Sequence, residues 1–357
     1  MSLLRDHPRV FSIPAGLSFA DTLASELLRQ VEHDPLKLAD VTLLLPNRRA
    51  CRTLQEAFLR QAVQPEHGGA SLLPRLMPIG DLDADDLSVL GGAILGEAAE
   101  IPPAIGDLKR RMLLARLIMA APARGGARPI RLDQATQLAA ELARLLDQVE
   151  TERKDLSALE GLVPQDFAEH WQITINFLDI LRRAWPDILA EEGAIDPAER
   201  RNRLLDLQRA VWEAAPPQTP IIAAGSTGSI PAAADLMHTI AHLPQGAVYL
   251  PGLDRAPSAE DWQAIEEDAS HPQYGLAQLL KRFEIAREQV EDVAAPNPAD
   301  SPAPLAGEGY GGLASEASLA GVGRGVARRQ ARTRQSDDSP IPGAASPPFP
   351  TFPRPSA

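Results

Sequence analysis

The stretch RVFSIPAGLSFADTLASELL, residues 9–28, sets a short apolar run against a Pro-Ala-Gly turn and then a helical pattern. Val10, Phe11 and Ile13 make the run, and Pro14, Ala15 and Gly16 the turn. Phe19, Leu23, Leu27 and Val31 then recur every fourth residue on one helical stripe. Strand, glycine turn and helix form the frame of a phosphate-binding loop, in which backbone N–H groups at a helix N-terminus cradle phosphates. That loop requires G-x-x-x-x-G-K-[ST]. With Gly16 as its first glycine, the second glycine falls on Asp21, the lysine on Thr22 and the hydroxyl on Leu23. With Gly16 as the second glycine, the lysine position holds Leu17. Both registers fail. Pro14, Ala15, Gly16, Leu17 and Ser18 are therefore expected to form a degenerate nucleotide loop, with Gly16 there to permit the turn.

Outward from this stretch the same alternation repeats. ADVTLLLP reads as a buried strand over 41–45, and NRRACRTLQEAFLRQA as a helix with Ala50, Leu54, Phe58 and Ala62 on one face and Asn47 as its cap. LLPRLMPIGDL offers a third strand. Strands separated by helices of this length imply a parallel sheet with crossover helices. Residues 104–215 read as helical throughout, bracketed by the Pro-rich breaks IPPAIG and PPQTP, with Asp196 and Pro197 a cap and first-turn pair. PIIAAGSTGSIPAAADLMHTIAHL and GAVYLPGLD return to strand and helix. The expected architecture is α/β. An α/β half over 1–103 is followed by a helical insertion over 104–215, and the second half of the same sheet domain spans 216–293.

From residue 294 the composition changes. Residues 294–357 hold 11 prolines and 8 glycines in 64 positions, with no helical or strand period, and are expected to be disordered. The abrupt change suggests a foreign tail joined to a truncated chain. Composition elsewhere is that of a globular protein, and aromatics at 4% with abundant leucine and alanine favour helix over strand. No apolar run is long enough for a transmembrane helix, and the first residues lack the apolar core of a secretory signal. The one cysteine, Cys51, excludes an internal disulfide and a cysteine-held zinc or iron–sulfur centre within the chain; a cytoplasmic location is expected. The net charge of −13 argues against holding a polyanion through bulk positive potential, so any DNA contact must be local.

A nucleotide-hydrolysing site also needs carboxylates for magnesium at the end of a later strand. Here that strand ends in Gly225, Ser226, Thr227, Gly228 and Ser229, and no carboxylate occurs until Asp235. The two losses agree, so no catalytic residue is assigned. The GSTGS turn does not fit the G-x-S-x-G nucleophile elbow around either serine. His238 and His242 have the spacing of a zinc pair, but Thr239 stands where a metalloprotease has glutamate; they read as surface histidines. Asp81, Asp83 and Asp85 begin like a calcium loop, but Asp86 and Gly92 break the pattern. No metal ligand is assigned. Three basic clusters, Arg48, Arg49 and Arg52; Lys109, Arg110 and Arg111; and Arg200, Arg201 and Arg203, are expected on exposed helix faces. The first sits at the carboxyl end of a parallel strand, where α/β sheets bind ligands.

Several ordered segments together, VFSIPAGLSFADTLA, ADVTLLLPNRRACRTLQEAFL, LLPRLMPIGDLD, PIIAAGSTGSIPAAADLMHTIAHLPQGAVYLPGLD and HPQYGLAQLL, resemble the N-terminal region of the AddB family. This is the alphaproteobacterial-type subunit of the AddAB helicase–nuclease, which processes DNA double-strand breaks for recombinational repair. The resemblance spans about residues 9–293. It implies a degenerate, superfamily-1-like helicase module that binds single-stranded DNA beside an AddA-type motor. It also implies that IPAGLSFADTLA stands at the place of the ATP loop and GSTGSIP at that of the acidic magnesium motif. Asn47, Arg48 and Arg49, with Gly225, Ser226 and Thr227, become candidate DNA contacts. The family's nuclease region, with its magnesium and its iron–sulfur cluster, has no counterpart residues here. Two other classes remain open: a protein-docking module without DNA contact, favoured by the acidic charge, and a small-molecule α/β enzyme using the GSTGS turn.

Overall fold

The described residues form six strands, five of them from largely apolar runs, β1 (Val10–Ile13), β2 (Thr42–Leu45), β3 (Arg75–Pro78), β4 (Ile221–Ala224) and β5 (Gly246–Pro251), and the sixth, β6 (Glu291–Asp292), from two exposed acidic residues at the sheet edge. All pair in parallel, in the order β3-β2-β4-β5-β1-β6. The computed structural model describes residues 7–62, 72–79, 100–120, 130–154 and 182–294. The Pro/Gly-rich tail beyond Ala294, the aspartate run at 81–86 and helical sequence at 155–181 lie outside them.

Strand alternation divides the interior into two cores. Ile13, Leu43, Leu45, Ile222, Ala224 and Tyr249 point to one face. There they meet α1 (Phe19–Gln30), α2 (Pro35–Ala39) and α3 (Arg48–Ala62) through Leu23, Leu27, Leu38, Leu54 and Phe58. Val10, Leu44, Ile221, Ala223, Val248 and Leu250 point to the other. Covering that face are α6 (Pro197–Ala214), α7 (Pro231–His242), α8 (Ala259–Glu267) and α9 (Tyr274–Arg282). Burial of this kind on both faces is why β2 reads as an unbroken run rather than an alternation. Each fully buried leucine contributes about 1.5–3 kcal/mol.

A third core lies among α4 (Asp107–Ala120), α5 (Leu132–Thr151) and the helical residues 182–191, around Leu114, Ile118, Ala139, Leu142, Trp185 and Leu189. The helices described within residues 104–215 divide between two cores, and an isolated parallel bridge joins Ala104 to Ile195. Leu204, Leu205 and Trp212 of α6 belong to the sheet. The seam between α5 and α6 is polar: Asn202 Nδ2 donates to the Glu150 carbonyl at 2.7 Å, and Arg201 Nη2 to Thr151 Oγ1 at 2.8 Å.

Two of the expected exposed basic faces are exposed only in part. In the later one Arg203 is exposed, but Arg200 and Arg201 are half-buried and donate to the Pro102 carbonyl and to Thr151 Oγ1. The earlier one departs further. Lys109 and Arg111 face solvent, but Arg110 is 2% exposed. Its Nε lies 2.7 Å from Asp196 Oδ1 and its Nη1 2.8 Å from Asp147 Oδ1. Trp185 Nε1 donates to Asp196 Oδ2 at 2.8 Å. Asp196 does precede Pro197 at the α6 N-terminus, but its side chain makes no cap bond because it is spent on Arg110 and Trp185. Burial pushes the Asp196 carboxyl above the ordinary aspartate range, against the opposing pull of Arg110.

Candidate functional site

The carboxyl ends of the parallel strands gather four loops at one edge of the sheet. From β1 the chain turns to α1 on one face, while from its neighbour β5 it turns to α8 on the other. β2 and β4 diverge in the same way, toward α3 and α7. Divergence of this kind opens a crevice outside the strand ends, which is where α/β sheets hold ligands.

The crevice beside β1 is filled by the protein itself. The N–H groups of Gly16 and Leu17 both donate to the Pro14 carbonyl, at 3.0 and 3.2 Å, and so do not form an open cradle. Ser18 Oγ donates to Asp21 Oδ2 at 2.5 Å, and Asp21 is paired with Arg60 at 2.5 Å. A carboxylate in the first turn of α1 opposes an anion there. Thr22 and Leu23, at the lysine and hydroxyl positions of the motif, are buried at 2% and 0% exposure and belong to the core. Gly252 (φ +62°) receives the loop: a Cβ on it meets Ala15 Cβ at 3.2 Å and Ala15 Cα at 3.5 Å. Its own N–H donates to the Ile13 carbonyl at 2.8 Å.

Gly16 does not have the expected role. Its φ lies outside the left-handed region and a Cβ there meets nothing within 4 Å, so the turn does not require glycine. The constrained glycines are those of the later loops.

At the end of β4, Gly225 (φ +73°) lies under the first residue of α1. A Cβ on Gly225 meets Phe19 Cε1 at 3.1 Å and Pro46 Cδ at 3.8 Å. The ring thus occupies the mouth between the β1, β2 and β4 loops. Ser226 Oγ accepts the Gly228 N–H at 3.2 Å, and Thr227 faces Gly275 at the start of α9. Asp235 is turned away into ion pairs with Arg282 at 2.6 Å and Arg153 at 3.5 Å. The carboxylate that follows β5, Asp254, accepts the Ala256 N–H at 2.9 Å. The chain has four lysines, Lys37, Lys109, Lys154 and Lys281, and none lies on these loops.

The neighbouring rim differs. Asn47 Oδ1 accepts the Ala50 N–H at 2.9 Å, the cap its position predicts. Arg48 and Arg49 begin α3, with Arg52 one turn on; all three are exposed and none has an ion pair among the described residues. The first turns of α3 and α7 carry no carboxylate, so the helix N-termini add to the positive potential there. A chain of net charge −13 thus has a local positive edge.

His238 and His242 are half-buried rather than surface residues. His242 Nδ1 donates to the His238 carbonyl at 2.9 Å, and the ring centroids are 4.5 Å apart. Phe283 packs edge-on against His238, and burial pushes its imidazole below the usual histidine range. Among the described residues, no three His, Cys, Asp or Glu side chains converge to hold a metal. A cysteine-held iron–sulfur cluster does not fit a chain with one cysteine. No described helix is long and apolar enough to cross a membrane. No protein-family model matches the chain, and no curated protein matches it.

Proposed function

We propose that this chain is a catalytically silent, superfamily-1-like helicase module of the AddB type, serving DNA double-strand break repair beside an AddA-type motor subunit in the cytoplasm. It turns over no nucleotide. It contacts the backbone of single-stranded DNA through Asn47, Arg48 and Arg49 and the adjoining turn of Gly225, Ser226 and Thr227. The observation that carries this reading is a contrast between two neighbouring loops. The β1 loop is closed on Gly252 and capped by Phe19, with no lysine or free carboxylate, whereas the α3 N-terminus keeps two arginines unpaired among the described residues. Phosphates are held by such arginines and by helix N-termini without any hydrolytic machinery.

The test combines two measurements on the full chain. ATP hydrolysis in the presence of single-stranded DNA is expected at background. Fluorescence anisotropy with labelled single-stranded DNA at low salt is expected to show binding. In the Arg48→Ala/Arg49→Ala variant this binding weakens severalfold and loses about 1.4 from its logarithmic salt slope. ATP turnover, or binding unchanged in the variant, defeats the reading. A second reading, a docking module with no DNA contact, is favoured by the net charge of −13 and gives a flat anisotropy trace.

A further inference from the structure

Two histidines of α7 carry chemistry that the DNA-contact reading leaves unused. His238 and His242 stand one helical turn apart on the same face, with ring centroids 4.5 Å apart. His242 Nδ1 donates to the His238 carbonyl at 2.9 Å, so its Nε2 keeps a lone pair. A histidine that binds a metal is held in this way, its second nitrogen fixed by a carbonyl that sets the tautomer and the ring orientation. His238 is half-buried, and its ring nitrogens have no hydrogen-bond partner among the described residues. Phe283 packs edge-on against it at 5.6 Å and supplies no acceptor. Burial favours the neutral ring, which is the form that ligates a metal.

The separation of the rings selects the ion. A metal–imidazole bond of about 2.0–2.1 Å puts an ion roughly 3.2 Å from each ring centroid, so a shared ion holds the centroids roughly 4.5 Å apart at a right-angled bite and roughly 5.2 Å apart at a tetrahedral one. The observed 4.5 Å matches the right angle. Tetragonal nitrogen and oxygen sites suit copper(II) or nickel(II), whereas zinc(II) favours the tetrahedron. The local field also suits a cation: the carboxylates of Asp235, Glu284 and Glu213 all act on His238. Two of them are shared with arginines, Asp235 with Arg282 and Arg153, and Glu213 with Arg209. We propose that His238 and His242 form a two-imidazole binding site for a divalent transition-metal ion of the copper(II) or nickel(II) class, its other positions filled by water. Thr239 stands where a metalloprotease carries its general base, so the site binds the ion without hydrolytic chemistry. No part of this depends on the DNA-contact reading, which is tested at the sheet edge.

The test uses the full chain and nickel(II) chloride in isothermal titration calorimetry, in a non-coordinating buffer. Nickel(II) is expected to bind, and zinc(II) to bind severalfold more weakly. His242→Gln keeps an amide that can donate to the His238 carbonyl but removes the ligand, and should weaken nickel(II) by about tenfold or more. His238→Ala should do the same, while His7→Gln, outside the site, should change nothing. In thermal unfolding, nickel(II) should raise the midpoint of the parent chain and leave that of His242→Gln unmoved. Should His238→Ala fail to fold, His242→Gln decides. Absence of nickel(II) binding, binding undiminished in His242→Gln, or tighter binding of zinc(II) than of nickel(II) overturns the proposal.

Discussion

Replacing Arg110 by methionine isolates the energetics of the seam between the helical hairpin and the sheet. Methionine keeps the apolar stem and removes the charge. Asp196, 3% exposed, is then left with Trp185 Nε1 at 2.8 Å as its remaining side-chain donor. Removing one partner of a buried ion pair costs about 3–5 kcal/mol, because the other charge stays buried without compensation. Asp196 can escape that cost by taking up a proton. Burial already holds its carboxyl above the ordinary value and Arg110 pulls it down, so losing Arg110 raises it further. A folded-state value above the unfolded one means the native state binds the proton more tightly, so the variant gains stability as pH falls through that window. One proton is worth at most about 1.4 kcal/mol per pH unit. Urea unfolding followed by circular dichroism should therefore give a loss of about 4 kcal/mol at pH 8 and about 2 kcal/mol at pH 5. Adding Asp196→Asn to the variant should restore most of the loss at pH 8. A loss below about 1 kcal/mol at pH 8, or one that grows on acidification, would refute the reasoning.

Other outcomes follow from single contacts. Gly246→Ala places a Cβ 1.8 Å from the Ile240 carbonyl oxygen, a backbone atom that cannot rotate aside; a loss above about 3 kcal/mol in chemical denaturation is expected. Asn47→Ala removes the α3 cap at Ala50 and should cost about 1 kcal/mol by the same assay, whether or not DNA is bound. His238 should titrate below the usual histidine value by NMR. Because its native form binds the proton less readily than the unfolded form, its contribution to stability is present above about pH 6.5 and lost as pH falls through the lowered value. A shift to higher pKa would contradict the burial seen at α7.

Much of the sheet was legible because its signals are local. The run at β1, the TLLL run of β2 and the Gly/Ser turn after β4 each declare a strand end within a few residues. The cap at Asn47 was readable for the same reason, since donor and acceptor lie three positions apart. Arg110 was not. In sequence it is the middle member of Lys109, Arg110 and Arg111, and only the approach of Asp147 and Asp196 from other helices separates it from its neighbours. The histidine pair misled similarly, because spacing sets two rings on one helix face without saying whether Phe283 covers them. Gly16 drew attention as the glycine of a motif, yet the left-handed glycines among the described residues are Gly193, Gly225, Gly228 and Gly252, none of which the motif names.

The order of amino acids by itself determined that strands alternate with helices and that neither register of the nucleotide motif supplies a lysine. Composition and spacing along one chain suffice for both. Only the tertiary structure decided what occupies the crevice: Ala15 on Gly252, Phe19 on Gly225, and the Leu253 N–H donating to Ser12 Oγ across 241 positions of sequence. Those neighbours are set by parallel register, Val10 beside Val248 and Leu44 beside Ala223. Register is a property of paired strands, so no local pattern within either strand contains it.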